Sequence, residues 1–342
     1  MDRKFSHLVN IVIGLVFVGG SPTAGVTQEF YQGKTVRIIV GFSAGGGFDT
    51  YSRVIARHLG KHITGNPTVI VENMPGAGSL IAANHLYKVA KPDGLTIGNF
   101  VGHFVLAQLL GRPGIEFDAR RFEWIGLPVP DSGACAFTKA SGIISVEKWQ
   151  AAKTPVKLGV TSLGDVTYNS AKILKDVIGL PIQIVSGYKG TADIRLAAES
   201  GEIAGSCWQW EPIKATWRKA LDSEDVVVVL QMTPQPHPDL PKVPSAYNLA
   251  KTEEARLLLQ AAVNDPNTIT RPYAVPPGTP KDRVQLLRKA FMNTMKDPEF
   301  LAEARKSKLN IDPLTGEELE KIVVRSFKLD PALVGKLKVV LK

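Results

Sequence analysis

Three short segments of this chain combine residue types suited to holding an anion. The first is Gly41-Phe42-Ser43-Ala44-Gly45-Gly46-Gly47-Phe48-Asp49. A Gly-rich turn between a strand and a helix presents unpaired backbone N–H groups at the positive end of the helix dipole. Glycine lets a ligand approach that backbone closely. Ser43, Ala44, Gly45, Gly46 and Gly47 are therefore candidate ligand-binding residues. Asp49 has two readings, a cap on the first helical turn or a ligand contact through water. The second segment is Thr161-Ser162-Leu163-Gly164-Asp165-Val166-Thr167-Tyr168, again between a strand and a helix. Its candidates are Ser162, Gly164, Asp165 and Thr167. The third is Gly187-Tyr188-Lys189-Gly190-Thr191, where Lys189 is a candidate direct partner for an anion. The alternatives are ordinary N-cap loops and, for Lys189, a solvated surface lysine. Two such loops facing each other would clamp one carboxylate.

Other chemistries find less support. A dinucleotide fingerprint in the first loop needs glycine at position 50, where Thr50 stands, and the G-K-[ST] end of a phosphate-binding loop is missing. His58 and His62 are four apart, as two metal ligands on a helix face would be. Only Leu59, Gly60 and Lys61 separate them, without the acidic base of H-E-x-x-H, so no metal is expected. There is no G-x-S-x-G nucleophile elbow, and no catalytic residue is assigned. Trp208 and Trp210 bracket Gln209 at strand spacing; packing in a core competes there with one ring lining a cleft.

The elements that position these loops follow from the hydrophobic pattern. Val36–Val40, Val69–Val71 and Leu95–Gly98 are short strand patterns. Tyr51, Val54, Ile55 and Leu59 have helical spacing, and a second helix runs from Ser79 to about Val89. The alternation restarts with strands at Ala134–Phe137, Val156–Val160, Ile182–Val185, Ile203–Trp208 and Val226–Leu230. Helices lie between them at about Tyr168–Val177 and Ala192–Glu199. Strands alternating with helices give an α/β class with mostly parallel sheets. Five prolines between Thr233 and Pro244 make that stretch a rigid loop, and helices return at Glu253–Val263 and Lys281–Met295.

The 342 residues suggest about two domains, and 44% hydrophobic against 21% charged residues excludes a disordered chain. The net charge of +9 is dispersed and accompanies no nucleic-acid motif, so nucleic acid is not an expected partner. Arg3 and Lys4, the apolar run Leu8–Val18 and small residues from Gly19 to Gly25 have the order of a secretory signal peptide, residues 1–27. A single anchor helix is the alternative, but the run is shorter than the ~20 residues of a span. Export to an oxidising compartment, most simply the periplasm, makes a Cys135–Cys207 disulfide an alternative to two buried thiols.

Several stretches taken together resemble the Bug family, the extracytoplasmic solute receptors of tripartite tricarboxylate transporters. They are Val40–Asp49, Val71-Glu72-Asn73-Met74-Pro75-Gly76-Ala77-Gly78, Lys91-Pro92-Asp93-Gly94-Leu95-Thr96-Ile97 and Tyr188-Lys189-Gly190. Val275-Pro276-Pro277-Gly278-Thr279-Pro280 and Asp297-Pro298-Glu299 extend the match, which covers about residues 30–320. The resemblance implies a type II periplasmic-binding-protein fold, two α/β domains joined by a hinge. Domain 1 would comprise 28–127 with 231–342, and domain 2 would be 128–230. It implies a non-enzymatic receptor without a cofactor, a small organic acid held mainly by the N–H groups of Ser43–Asp49 and Ser162–Thr167, and membrane-embedded transporter subunits as partners. The second loop departs from the family pattern: Asp165 and Val166 interrupt it, and Tyr168 takes roughly the place of a histidine. An exported enzyme acting on carboxylates and a ligand-sensing module are the rival functions.

Overall fold

The computed structural model describes residues 30–161, 163–188 and 190–342. Residues 1–27, expected to be a signal peptide, as well as Ser162 and Lys189, lie outside the described residues.

Two separate sheets organise the chain. In the first, six strands run in the order β11-β4-β10-β3-β1-β2. These are β1 Thr35–Val40, β2 Thr68–Asn73, β3 Thr96–Asn99, β4 Glu123–Leu127, β10 Tyr273–Val275 and β11 Leu314–Thr315. β1 lies parallel between β2 and β3, with Ile38 opposite both Val71 and Ile97. β10 enters antiparallel between β3 and β4. Val36, Ile38 and Val40 are fully buried on one face of β1, and Ile39 on the other is 1% exposed, as in a strand covered on both faces. The helix Gly47–Leu59 turns Tyr51, Val54, Ile55 and Leu59 inward, the face its spacing predicts.

The second sheet has the order β7-β6-β8-β5-β9. Its strands are β5 Gly133–Thr138, β6 Val156–Val160, β7 Ile182–Ser186, β8 Gly205–Gln209 and β9 Val226–Gln231. The pairs β6–β7 and β6–β8 are parallel, whereas β5 is antiparallel to both β8 and β9. Cys135 on β5 stands directly opposite Cys207 on β8, and the two form a disulfide. Of the two readings left open by the sequence, the structure takes the bonded one.

The chain crosses between sheets twice, at 128–132 after β4 and at 232–272 before β10. The second crossing begins with the proline-rich loop. Proline offers no N–H, so the buried amide of Gln231 organises this loop. It donates to the Leu240 and Val243 carbonyls at 3.0 and 2.5 Å and accepts from His237 N at 2.8 Å. The helix expected at Glu253–Val263 is α-helical over Glu253–Leu259 and then widens into a π turn at Gln260–Asn264. The wider turn precedes Pro266, whose ring and missing N–H disturb a regular ladder. Side chains from this region (Ala246, Leu258, Leu259, Val263), from the last helix (Leu337) and from its C-cap (Leu341) join the core of the second sheet. These segments lie in 231–342, which the sequence assigns to the first domain.

Candidate ligand-binding site

The first loop is held in shape by Asp49. Its Oδ2 accepts from Gly45 N at 2.8 Å and Arg53 Nε at 2.9 Å. Its Oδ1 accepts from Asn73 Nδ2 at 2.9 Å, and the same amide donates to the Phe42 carbonyl at 2.9 Å. Asp49 thus reaches back from the third helical position to the residue before the N-cap Gly46, one residue beyond the partner a capping box would use. Burial pushes this carboxyl up, but the hydrogen bonds from Arg53, Gly45 and Asn73 outweigh it and hold the group at about 2. A pKa depressed below the ordinary 3.8 contributes stability that is present in full above pH ~4 and lost as pH falls through about 2. Asp49→Asn is therefore expected to cost about 2 kcal/mol at pH 7. Urea melts of both proteins should converge between pH 4 and 2; a pH-independent gap would assign the loss to packing alone.

Ser43–Gly47 are exposed, between the half-buried rings of Phe42 and Phe48, which contact each other at 4.3 Å. A Cβ at Gly46 would meet nothing closer than the Ser43 carbonyl at 3.7 Å, and one at Gly47 nothing within 4 Å. Packing does not demand glycine at either position. Gly41 is different: a Cβ there would come within 2.3 Å of the Ser79 Cβ, so glycine seats the loop on its neighbour.

The second loop is braced from within. Buried Thr167 accepts from Thr161 N at 3.1 Å and shares a second 3.1 Å hydrogen bond between hydroxyls. Asp165 caps the helix Val166–Asp176 by accepting from Thr167 N at 3.2 Å. The Gly164 carbonyl accepts from Asn169 Nδ2 at 3.2 Å. The third helix, Thr191–Glu199, starts after Gly190 with no side-chain cap.

All three helix starts border one cleft of about 840 Å³ between the two sheets, within the range of small-molecule sites. Phe48 marks the first start, Asp165 and Val166 the second, and Gly190 and Thr191 the third. Gly164 and Asp165 line the cleft. Ser43, Ala44, Gly45, Gly46, Gly47, Asp49 and Thr167 do not; Phe42 and Phe48 represent the first loop in its wall. Trp208 and Trp210 pack in a core cluster, and Gln209 between them reaches the cleft.

Four polar residues of the site carried no local pattern in the sequence. Arg271 sits in the second crossing, with its side chain 10% exposed and its Nη1 3.5 Å from Oδ2 of fully buried Asp131 in the first crossing. Its guanidinium carbon lies 5.6 and 5.7 Å from the Phe48 and Tyr51 ring centres. Among the described residues, Nε and Nη1 have no hydrogen-bond partner. Burial pushes Asp131 up to about 6 against the opposing pull of Arg271 and the N–H groups of Glu211 and Ser132. Arg112 lines the cleft and donates to the Leu341 carbonyl at 2.6 Å. His103 lines it too; burial pushes its imidazolium pKa down, against the charge of Asp165.

The family model of the tripartite tricarboxylate transporter family receptor matches residues 51–337. The chain belongs to this receptor family. A relative from Agrobacterium vitis, a UPF0065 protein of the TAR-I ttuE-ttuC' intergenic region, is 29% identical over 196 residues. That match covers 55% of the receptor and 54% of the relative, so the receptor spans about half the length of this curated relative. Among solved structures, a TctC solute-binding protein from Polaromonas superposes with a TM-score of 0.71 at 20% identity, covering 91% of the receptor and 98% of that chain. MatC from Rhodopseudomonas palustris, solved with bound malate, gives 0.62 at 20% identity over 90% and 99%. The receptor therefore has the two-domain periplasmic-binding-protein fold that the sequence led one to expect.

Proposed function

We propose that this receptor captures a small organic acid in the cleft between its two domains and delivers it to the membrane-embedded subunits of a tripartite transporter. The observation that carries this reading is the convergence of three helix N-termini on one cleft between two sheets. Each helix start places about half a positive charge and several free N–H groups toward a bound carboxylate. The N–H groups of Ser43, Ala44, Gly46 and Gly47, which lie off the cleft wall in this structure, come to the ligand from one domain as the cleft closes, and those of Ser162 and Gly164 serve from the other, with Lys189 as a side-chain cation; the N–H groups of Gly45 and Thr167 are taken by Asp49 and Asp165. Asp49 and Asp165 hold the two loops in shape. The ligand bridges both loops, and its differential contact with the closed form draws the domains together about the crossings at 128–132 and 232–272. Residues 1–27 direct export to the periplasm, and the Cys135–Cys207 disulfide suits that oxidising compartment.

A thermal-shift screen of the processed protein against mono-, di- and tricarboxylates tests the reading. A ligand bound only by the folded state raises its stability by about 2.7 kcal/mol at 100 times Kd. Gly46→Val is expected to keep the unliganded melting temperature, because the position is open, and to weaken the best acid at least ~10-fold by blocking the N–H face, about 1.4 kcal/mol. Unchanged affinity would remove the first loop from the site.

A further inference from the structure

We infer that the ligand is a monocarboxylate with a bulky apolar body, such as an aryl or cycloalkyl acid, rather than a compact di- or tricarboxylate. This rests on the receptor reading above and narrows it.

The charges around the cleft are nearly balanced among the described residues. Arg271 faces the buried carboxylate of Asp131 at 3.5 Å. The lining also carries one further cation, Arg112, and one further anion, Asp165. Arg112 is already engaged with the Leu341 carbonyl. The positive field left over comes from the three helix starts and from Lys189 as assigned above, which together suit one carboxylate. With Lys189 and the helix starts matched to one carboxylate, a second or third would leave water without a further cation and would add negative charge to a cleft that already carries Asp165.

The walls supply the rest. Phe42 and Phe48 form an aromatic pair on the first loop, and Val101 and Phe104 continue that wall. From the other domain Leu163 and Val166 line the cleft. Leu163 is 57% exposed, a large apolar side chain that the fold itself leaves in water. A ligand with an apolar body covers that side chain and the aromatic pair together when the domains close, and gains from their desolvation. A small hydroxy-diacid would leave much of an 840 Å³ cleft with such walls filled with water.

Calorimetric titration of the processed protein decides this, with benzoate, phenylacetate and cyclohexanecarboxylate set against succinate, malate and citrate. The expected result is at least ~10-fold tighter binding of the best member of the first group. Leu163→Ala should weaken that acid ~5–20-fold and leave the unliganded melting temperature unchanged, since Leu163 makes little of the core. Tighter binding of succinate, malate or citrate would overturn this inference and leave the receptor reading intact. Full affinity in Leu163→Ala would also overturn it. Binding of no acid of either group would overturn both.

Discussion

Replacing Cys135 and Cys207 together by alanine is expected to lower the unfolding free energy by about 4 kcal/mol relative to the oxidised protein. The two residues are 72 apart in sequence, and the loop they close contains β6, β7, the start of β8 and the two helices that follow the second and third candidate loops. In the unfolded chain the bond removes the entropy of that loop, and the gain grows only slowly with loop length. Both cysteines are 0% exposed, so a reductant reaches them only when the second domain opens. Guanidinium melts of the oxidised protein, of protein unfolded and refolded under reductant, and of the double variant should place the last two together, well below the first. Denatured, unreduced protein should titrate no free thiol. Two reactive thiols, or equal midpoints in the three melts, would remove the disulfide and with it one support for export.

Much of the fold was legible because its signals are local. Short β-branched runs such as Val36–Val40, glycines at the ends of strands and helical spacing from Tyr51 to Leu59 lie within a few residues of one another. The same locality made the first two candidate loops visible, as strand–turn–helix segments. What escaped is contributed by segments far apart in sequence. β10 is three residues long and enters the first sheet from the end of a 41-residue crossing, so no alternation marks it. Arg271 and Asp131 are a lone arginine and a lone aspartate whose meaning arises only where the two crossings meet. Asp49 could be named from the sequence but not its role, because its partner Asn73 comes from the end of β2. The contribution of Ala246, Leu258 and Leu337 to the second sheet's core is likewise a matter of where the return crossing folds back, which helical spacing does not specify.

The meeting of the two crossings predicts the other large effect. Arg271→Ala removes the cation beside a carboxylate that is fully buried, and breaking one side of a buried pair costs about 3–5 kcal/mol because the remaining charge has no counterpart. The loss should depend on pH, and its sign follows from Asp131. With Arg271 present, burial already raises this carboxyl to about 6, against an ordinary 3.8. A group whose pKa is raised on folding favours the folded state while protonated and withdraws that support as pH rises through the folded value. Removing Arg271 takes away the strongest opposing pull and raises Asp131 further. The gap between wild type and Arg271→Ala should therefore be widest near pH 8 and should narrow toward pH 5, where neutral Asp131 needs no counter-charge. Adding Asp131→Asn to Arg271→Ala should recover much of the stability at pH 8 while changing little at pH 5. Chemical melts of the three proteins at both pH values are sufficient. A gap that stays constant with pH would mean that the loss comes from the packing of Arg271 against Phe48 and Tyr51, and that the ion pair does not hold the crossings together. If the pH dependence appears, the two crossings between the sheets are joined by a pair of buried charges, and the first candidate loop is tied to that junction through Phe48.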